Sequence, residues 1–144
     1  MSAADRAVAE ARGWIGTPYR HQGSVRGVGA DCLGLIRGVW RALYGDEPEA
    51  VPAYTMDWSE PDGEERLWAA ALRHLERVDR GGPGQVVLFR MREGSVAKHL
   101  GVTALRDGSE SFIHAYSGHG VIENALTAPW ARRVAARFAF PERF

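Results

Sequence analysis

The chain has 144 residues, enough for one domain with a hydrophobic core but too few for two. Hydrophobic residues make up 45% and charged residues 25%, a globular balance that excludes a disordered chain. Basic and acidic residues number 18 each, so the net charge is zero and nothing electrostatic points to a nucleic-acid partner. We therefore expect a single domain over residues 1–144.

Cysteine content and hydropathy bear on where the protein acts. Cys32 is the only cysteine, so no disulfide can form within the chain. No stretch approaches the ~20 apolar residues that cross a bilayer, and residues 1–12 lack the apolar run of a signal peptide. We expect a protein that is made in the cytoplasm, does not insert into membranes, and is carried by another component if it acts outside.

The first segment predicts a helix. Ser2 and Asp5 have the spacing of a capping box. Behind them apolar side chains recur at helical spacing, at Ala4, Val8, Ala11 and Ile15. We predict a helix from Ala3 to Trp14, ended by Gly16-Thr17-Pro18, and a glycine-rich loop from Tyr19 to Ala30.

The clearest helical pattern begins after Asp31, whose carboxylate can accept the free N–H groups of a first turn. The apolar stripe that follows has helical spacing and consists of Cys32, Leu35, Ile36, Val39, Trp40 and Leu43. Gly45 is predicted to end this helix. Cys32 therefore stands in the first turn of a helix.

Residues 45–82 are a predicted insertion between this helix and a sheet. The first part, 45–62, holds Pro48, Pro52 and Pro61 and is predicted as a long loop. Asp62 and Glu65 are then placed to cap a third helix. Its predicted apolar face consists of Leu67, Trp68, Ala71, Leu72 and Leu75.

After the turn signal at 81–84 the pattern changes to short strands separated by further turn signals. The predicted strands are Gln85 to Met91, Lys98 to Leu105, Ser111 to Ala115, Val121 to Asn124 and Val134 to Phe140. Helices followed by a mostly antiparallel sheet of about five to six strands define an α+β fold.

Cys32 is a candidate nucleophile, although a lone cysteine on an apolar stripe is also typical of a core residue. The free N–H groups and the dipole of a helix start favour a thiolate, which predicts a thiol pKa below the ~8.5 of free cysteine. The backbone N–H of Cys32 would also be placed to hold an oxyanion.

A thiol nucleophile needs a base, and the predicted strands supply histidines. His99, Gly101 and Thr103 share one strand face, which we expect to border a cleft at the helix start. His114 lies on the next strand, where a hairpin would make it a neighbour of His99. Taken alone, both histidines also fit structural roles. Together with Cys32 they match the nucleophile, base and orienter of a cysteine hydrolase.

The remaining histidines are weaker candidates. His119 lies between Gly118 and Gly120 in a predicted turn, where its ring would be mobile, so His114 is the predicted orienter. His21 lies in the glycine-rich loop, where it could touch substrate. His74 is expected to be solvated among charged neighbours on the third helix.

Several motifs in order give the chain a family resemblance. They are Gly16-Thr17-Pro18-Tyr19, Asp31-Cys32-Leu33-Gly34-Leu35, Pro83-Gly84-Gln85-Val86-Val87-Leu88-Phe89, His99-Leu100-Gly101-Val102 and Phe112-Ile113-His114-Ala115. They resemble the G-x-P-Y, D-C-x-G-L, P-G-D-L-V-F-F, H-V-G-I and F-I-H-A segments of the NlpC-type (NlpC/P60) cell-wall cysteine peptidases. The chain is most similar to the short members associated with phage tails and gene transfer agents.

The resemblance implies a papain-like fold and a set of site residues. Cys32 would be the nucleophile, His99 the base and His114 the orienter. Tyr19 would lie beside the nucleophile and help to bind substrate or the oxyanion, and Asp31 would recognise a free amine of the substrate. No cofactor and no metal are implied.

The resemblance also implies a substrate and a setting. The family hydrolyses peptide bonds of peptidoglycan stem peptides, typically the γ-D-glutamyl–diamino acid bond. A tail-associated member would act in the periplasm as part of a phage-like particle. It would contact tail proteins through surfaces such as the 45–61 loop and the three C-terminal phenylalanines, Phe138, Phe140 and Phe144.

Three positions depart from the family pattern and bear on substrate preference. Leu33 stands where many members have serine, Gly23 is alone where a glycine pair is common, and Gln85 replaces aspartate. The insertion at 45–82 is long and would be able to cover the cleft.

Three other functions remain open from the sequence. Cys32, His99, His114 and His119 could instead bind zinc, although no metal-binding spacing supports this. The chain could be a catalytically silent tail-assembly or adaptor protein on the same fold. It could also be a thiol acyltransferase, which would need an apolar acyl pocket near residues such as Leu33, Trp40 and Trp58.

Overall fold

A computed structural model describes residues 1–51, 53–54 and 63–143. The elements found in these residues are α1 (Ala3–Gly13), β1 (Ser24–Val25), β2 (Gly29–Ala30), α2 (Cys32–Tyr44), α3 (Arg66–His74), β3 (Glu76–Val78), β4 (Gln85–Phe89), β5 (His99–Arg106), β6 (Ser109–Tyr116), β7 (Gly120–Ala125), α4 (Ala128–Ala131) and β8 (Val134–Ala139). Pro52, Trp58, Pro61, Asp62 and Phe144 lie outside the described residues.

The strands form one large sheet and one small hairpin. Six strands pair antiparallel in the order β3-β8-β4-β5-β6-β7. β1 and β2 form a separate two-stranded hairpin. This confirms the predicted α+β fold and the predicted size of the sheet. The hairpin within the glycine-rich loop, the edge strand β3 and the short helix α4 were not predicted, since each is only two to four residues long.

The two N-terminal helices begin as predicted. The Ser2 hydroxyl accepts from the Asp5 N–H at 3.1 Å, and Asp5 completes the capping box. All six residues of the predicted α2 stripe are buried. The stripe predicted for α1 is wrong in part: the buried alanines are Ala3, Ala7 and Ala11, while Ile15 is exposed. Small side chains on α1 fill that face and are followed by Trp14, which is buried at the end of the helix.

The third helix packs by a narrower face than predicted. Leu67 and Ala71 are buried, but Leu72 is 55% exposed because the nine-residue helix contacts the rest of the fold on one side only. Glu65 stands at the N-cap, yet its side chain makes no cap hydrogen bond. It instead accepts from the Ala97 N–H at 2.7 Å and pairs with Arg90 at 2.8 Å.

The large sheet is covered on both faces. Leu100 and Val102 of β5 lie in the main core with α1 and α2. On the opposite face Phe89 and Phe112 form a smaller cluster with Trp130 of α4. Phe138 and Phe140 are also buried in the main core, so the expectation that they form a docking surface is wrong. Among the described residues, no helix is both long and apolar enough to cross a bilayer.

Candidate active site

The nucleophile candidate lies at the start of α2, which Asp31 ties to the preceding loop. Asp31 Oδ1 accepts from the Gly34 N–H at 2.7 Å, which is the predicted helix cap. Its Oδ2 accepts from the Gln22 N–H at 2.7 Å and from the Tyr54 hydroxyl. One buried carboxylate therefore fixes the helix start, the 19–30 loop and part of the insertion together.

Close packing explains why the D-C-x-G-L segment has a glycine at residue 34. A Cβ on this residue would lie 1.7 Å from the carbonyl oxygen of Gly23, far inside van der Waals contact. Only glycine lets the loop pass this close to the first turn of α2. The close approach is what holds the loop against Cys32.

The Cys32 thiol is buried beside the beginning of β5. The residue is 9% exposed, and Sγ donates to the carbonyl oxygen of Lys98 at 3.7 Å. Burial raises the pKa of the thiol to about 12, the negative charge of Asp31 adds to this, and backbone N–H groups offset part of it. The direction is opposite to the predicted one, because the packed loop and strand remove from water a thiol that the sequence places at an open helix start.

His99 and His114 meet on the β5–β6 hairpin. The hairpin pairs Val102 with Ile113, and continuing this register places Gly101 opposite His114. His99 is therefore a diagonal neighbour of His114, and its Nε2 lies 2.7 Å from His114 Nδ1. A Cβ at Gly101 would lie 3.4 Å from the Cβ of His114, so the glycine leaves room for that ring.

Both imidazoles are held in the neutral form. His99 is 8% exposed and His114 is fully buried. Burial, and then the neighbouring His114, lower the pKa of His99 to about 3. Burial lowers the pKa of His114 to about 4, the hydrogen bond that His114 donates to Asn124 acts against this, and the neighbouring His119 adds to the lowering.

Asn124 adds a third side chain to the hydrogen-bonded row that His99 and His114 begin, and it was missed by the sequence analysis. Its Oδ1 lies 2.7 Å from His114 Nε2. The β6–β7 register pairs His114 with Ile122 and Phe112 with Asn124, so Asn124 shares the face of both. Strand alternation counted from the 117–120 turn would have identified it.

Aromatic side chains enclose the two histidines on the side away from α2. The Trp130 ring centroid lies 6.0 Å from that of His99 and 5.4 Å from that of His114. Phe112 lies 4.2 Å from His114 by the same measure. The face predicted to border a cleft at the helix start does so only at His99, which lines a cavity together with Cys32, whereas Gly101 and Thr103 do not line it. The body of α2 packs on the opposite, Leu100 face of the strand.

The other histidines lie outside this row. His119 is exposed in its turn and stacks on Tyr116 with ring centroids 5.4 Å apart. His21 lies with Nδ1 3.9 Å from Asp31 Oδ2. His74 is half-buried rather than solvated and pairs with Glu49 at 2.5 Å. No group of three or more potential metal ligands occurs among the described residues. Of the residues in the zinc alternative, His99 Nε2 and His114 Nδ1 are hydrogen-bonded to each other.

A cleft of about 310 Å³ opens onto the thiol. Its lining residues are Tyr19, His21, Asp31, Cys32, Tyr54, Met91, Lys98, His99, Ala115, Tyr116 and Ser117. The structure thus brings four predicted site residues, Tyr19, Asp31, Cys32 and His99, into one cavity, with His114 behind them. Burial and the nearby Cys32 and Asp31 raise the pKa of Tyr19 to about 12, so its phenol stays a hydrogen-bond donor.

Comparison with protein families identifies the class of this fold. The model of the NlpC/P60 family matches residues 16–138, and the chain belongs to that family. The match includes all of the residues just described and ends at the last strand of the sheet. No curated protein matches the chain in sequence.

Solved structures share the fold at low sequence identity. The NlpC/P60 domain of the peptidoglycan hydrolase SagA has a TM-score of 0.60 and 21% identity, covering 95% of this chain and 98% of that one. A protein of Staphylococcus aureus subsp. aureus Mu50, described as similar to lipoprotein of the NLP/P60 family, has a TM-score of 0.60 and 16% identity over 98% of this chain and 42% of its own. Ly7917 has a TM-score of 0.59 and 14% identity over 96% of this chain and 62% of its own.

Proposed function

We propose that this protein is a cysteine peptidase that hydrolyses peptide bonds in peptidoglycan stem peptides. The observation that carries the proposal is the arrangement at the cleft, where the Cys32 thiol lies beside the start of β5 and His99 is hydrogen-bonded to His114. A nucleophile, a base and a residue that holds the base are the minimum for acyl transfer through a thiol. Family membership and the shared fold of peptidoglycan hydrolase domains support the same chemistry.

The resting pair is neutral, so the thiol is activated during attack and not before it. His99 Nε2 is bonded to His114, which leaves Nδ1 as the nitrogen that takes the thiol proton. As the proton moves to Nδ1, Sγ bonds to the substrate carbonyl carbon and the carbonyl oxygen becomes an oxyanion. The first N–H groups of a helix have no partner within it, so the backbone N–H of Cys32 would stabilise that oxyanion. The Tyr19 phenol would be a second donor to it.

The second half of the reaction restores the enzyme. The protonated His99 gives its proton to the leaving amine as the carbon–nitrogen bond breaks, and a thioester remains on Cys32. A water molecule then loses a proton to His99 and attacks the thioester carbon. The carboxylic acid product leaves, and the proton returns to Sγ.

For the substrate, we propose stem peptides cut at the γ-D-glutamyl–diamino acid bond. Among the described residues that line the cleft, Asp31 is the one acidic residue, and its negative charge raises the pKa of Cys32. A carboxylate there suits a substrate ammonium group, which would meet it beside the Tyr54 hydroxyl. SagA is described as a peptidoglycan hydrolase, and a structure of Ly7917 contains the hydrolyzing product of MDP.

For the setting, we propose a phage-tail or gene-transfer-agent component that opens the cell wall locally from the periplasmic side. The motif pattern of short, tail-associated members supports this proposal. Proteomics of purified phage-like particles from the source strain tests it. We expect the protein in the particles, and its restriction to the cytoplasm would favour a stem-peptide recycling enzyme.

Thiol acyl transfer is less well supported by the cavities. An apolar cavity of about 360 Å³ lies between α2 and α3, where Leu33 and Leu100 contribute to its wall. Its described lining residues do not include Cys32 or His99, so an acyl chain held there would lie outside the cleft that contains the thiol. The smaller cleft that does contain the thiol is lined largely by polar and aromatic side chains.

A variant series on a defined muropeptide tests the proposed roles. We expect Cys32→Ala and His99→Ala near background, His114→Ala strongly reduced, His114→Asn intermediate and His119→Ala close to wild type. His119 is the matched control, because it is a nearby histidine that is exposed in the turn between β6 and β7. If His119→Ala is as inactive as His99→Ala with its fold intact by circular dichroism, the base and its partner have been assigned wrongly.

A further inference from the structure

Two short hydrogen bonds join three side chains in a row. His99 Nε2 lies 2.7 Å from His114 Nδ1, and His114 Nε2 lies 2.7 Å from Asn124 Oδ1. Each bond needs one hydrogen, and each neutral imidazole carries one. The two histidines are therefore not independent, since the proton position on one determines the position on the other.

The amide of Asn124 determines which nitrogen donates and which accepts in both hydrogen bonds. Its oxygen faces His114, and an amide oxygen only accepts, so His114 Nε2 carries the hydrogen. His114 Nδ1 is then a lone pair and accepts from His99 Nε2–H. The single N–H of neutral His99 is therefore at Nε2, where it donates to His114. His99 Nδ1 carries a lone pair and can accept a proton.

The reversed amide would give the opposite result. With the Asn124 NH₂ group toward the ring, His114 would donate from Nδ1, and His99 would accept at Nε2 and carry its proton on Nδ1. His99 would then have no lone pair left for the thiol of Cys32. The arrangement in the structure is the one that makes His99 a base.

We infer that Asn124 is a positioning residue that fixes the tautomer of His99 through His114. The inference rests on the proposed thiol chemistry of Cys32. It gives Asn124 on β7 a role in addition to those of the nucleophile, the base and the orienter. Packing allows it: His114 is fully buried, with the tilted ring of Phe112 and the edge-on ring of Trp130 against it, so its ring cannot turn to exchange its nitrogens.

Nitrogen NMR of histidine-labelled protein measures the tautomers without any substrate. We expect protonated Nε2 and unprotonated Nδ1 at both His99 and His114 at neutral pH, with the signals assigned by single histidine variants. A proton on His99 Nδ1 in the wild-type protein overturns the inference. Asn124 is the only asparagine of the chain, so selective asparagine labelling gives one side-chain amide that reports directly on its contact.

Variants at position 124 separate a tautomer role from a packing role. Asn124→Asp keeps an acceptor and loses the donor, so we expect the wild-type tautomers and near wild-type hydrolysis. Asn124→Ala removes the acceptor, so we expect mixed tautomers and a rate lower by about 10-fold, the factor of one net hydrogen bond. Glu123→Gln is the control on the same strand, since Glu123 bonds Arg12 and Ser111 elsewhere and should leave the tautomers unchanged.

The outcomes distinguish this inference from the proposed function. If Asn124→Ala keeps the wild-type tautomers and only lowers stability, Asn124 is structural and the inference fails, whatever the enzyme cleaves. If Asn124→Asp loses the tautomers together with Asn124→Ala, the acceptor is not what matters and the inference also fails. If the tautomers shift as expected but no muropeptide is cut, the proposed substrate is wrong and the role of Asn124 stands.

Discussion

Acid is expected to weaken this fold through its two buried histidines. In an unfolded chain a histidine titrates near pH 6.5, whereas burial holds the pKa of His99 and His114 far below that value. As the pH falls below about 6.5, the unfolded chain takes up protons that the folded protein does not, so unfolding becomes more favourable. The stability that the two neutral imidazoles contribute is fully present above about pH 6.5. It is lost as the pH falls toward the pKa values of the two histidines in the folded protein.

The size of the effect follows from the number of groups. Each histidine that is neutral in the fold and protonated in the unfolded chain lowers the free energy of unfolding by about 1.4 kcal/mol per pH unit. The pair together removes roughly 2 to 3 kcal/mol per pH unit, a large share of the ~5–15 kcal/mol that stabilises a typical domain. Carboxylates such as Glu47, whose pKa is lowered by Arg37, add their own loss only nearer pH 4.

Urea denaturation between pH 7 and 5, followed by tryptophan fluorescence, measures this slope. His114→Asn removes one of the two groups and is expected to make the slope clearly shallower. His119→Asn removes an exposed histidine and is expected to leave it nearly unchanged. A wild-type free energy of unfolding that is flat from pH 6.5 to 5, or equal slopes in wild type and His114→Asn, would refute the burial of two neutral imidazoles.

Three further perturbations test the surroundings of the thiol. Iodoacetamide should alkylate Cys32 more slowly at pH 7 than it alkylates the urea-unfolded chain, with a rate that rises toward alkaline pH, because burial disfavours the thiolate; rapid labelling at neutral pH would contradict the raised pKa. Gly34→Ala should lower the free energy of unfolding by about 1–3 kcal/mol, because its Cβ meets the Gly23 carbonyl; an unchanged urea midpoint would contradict this. Tyr54→Phe removes a hydrogen bond to Asp31 and should cost ~1 kcal/mol in the same assay, whereas a more stable variant would show that the contact is not formed.

The helices and strands that the sequence predicted are those with long periodic patterns. The α2 stripe from Cys32 to Leu43 and the alternating strands after residue 84 were found within a residue or two of their ends. The α1 face was misjudged because a helix rich in alanine gives little contrast between its sides. The short α4, which places Trp130 over the histidines, has no periodicity to detect.

The candidate site was predictable in its residue types but not in its electrostatics. A cysteine at a helix start indicates a low thiol pKa only if the helix start is open to water. Here the Gly23–Gly34 approach and the carbonyl of Lys98 close it, and burial reverses the direction of the shift. Asn124 was missed because its contact with His114 follows from the register of two strands, which has to be counted from the turn at 117–120 and is marked by no motif.

The most direct test of the proposed chemistry is the mass spectrum of a defined stem peptide after incubation with the wild-type protein and with Cys32→Ala. We expect the wild type to give two products of the γ-D-glutamyl–diamino acid bond, whose summed mass exceeds that of the substrate by one water, and Cys32→Ala to give none. Products formed equally by Cys32→Ala, or cleavage by the wild type that a chelator abolishes, would contradict a thiol nucleophile at residue 32.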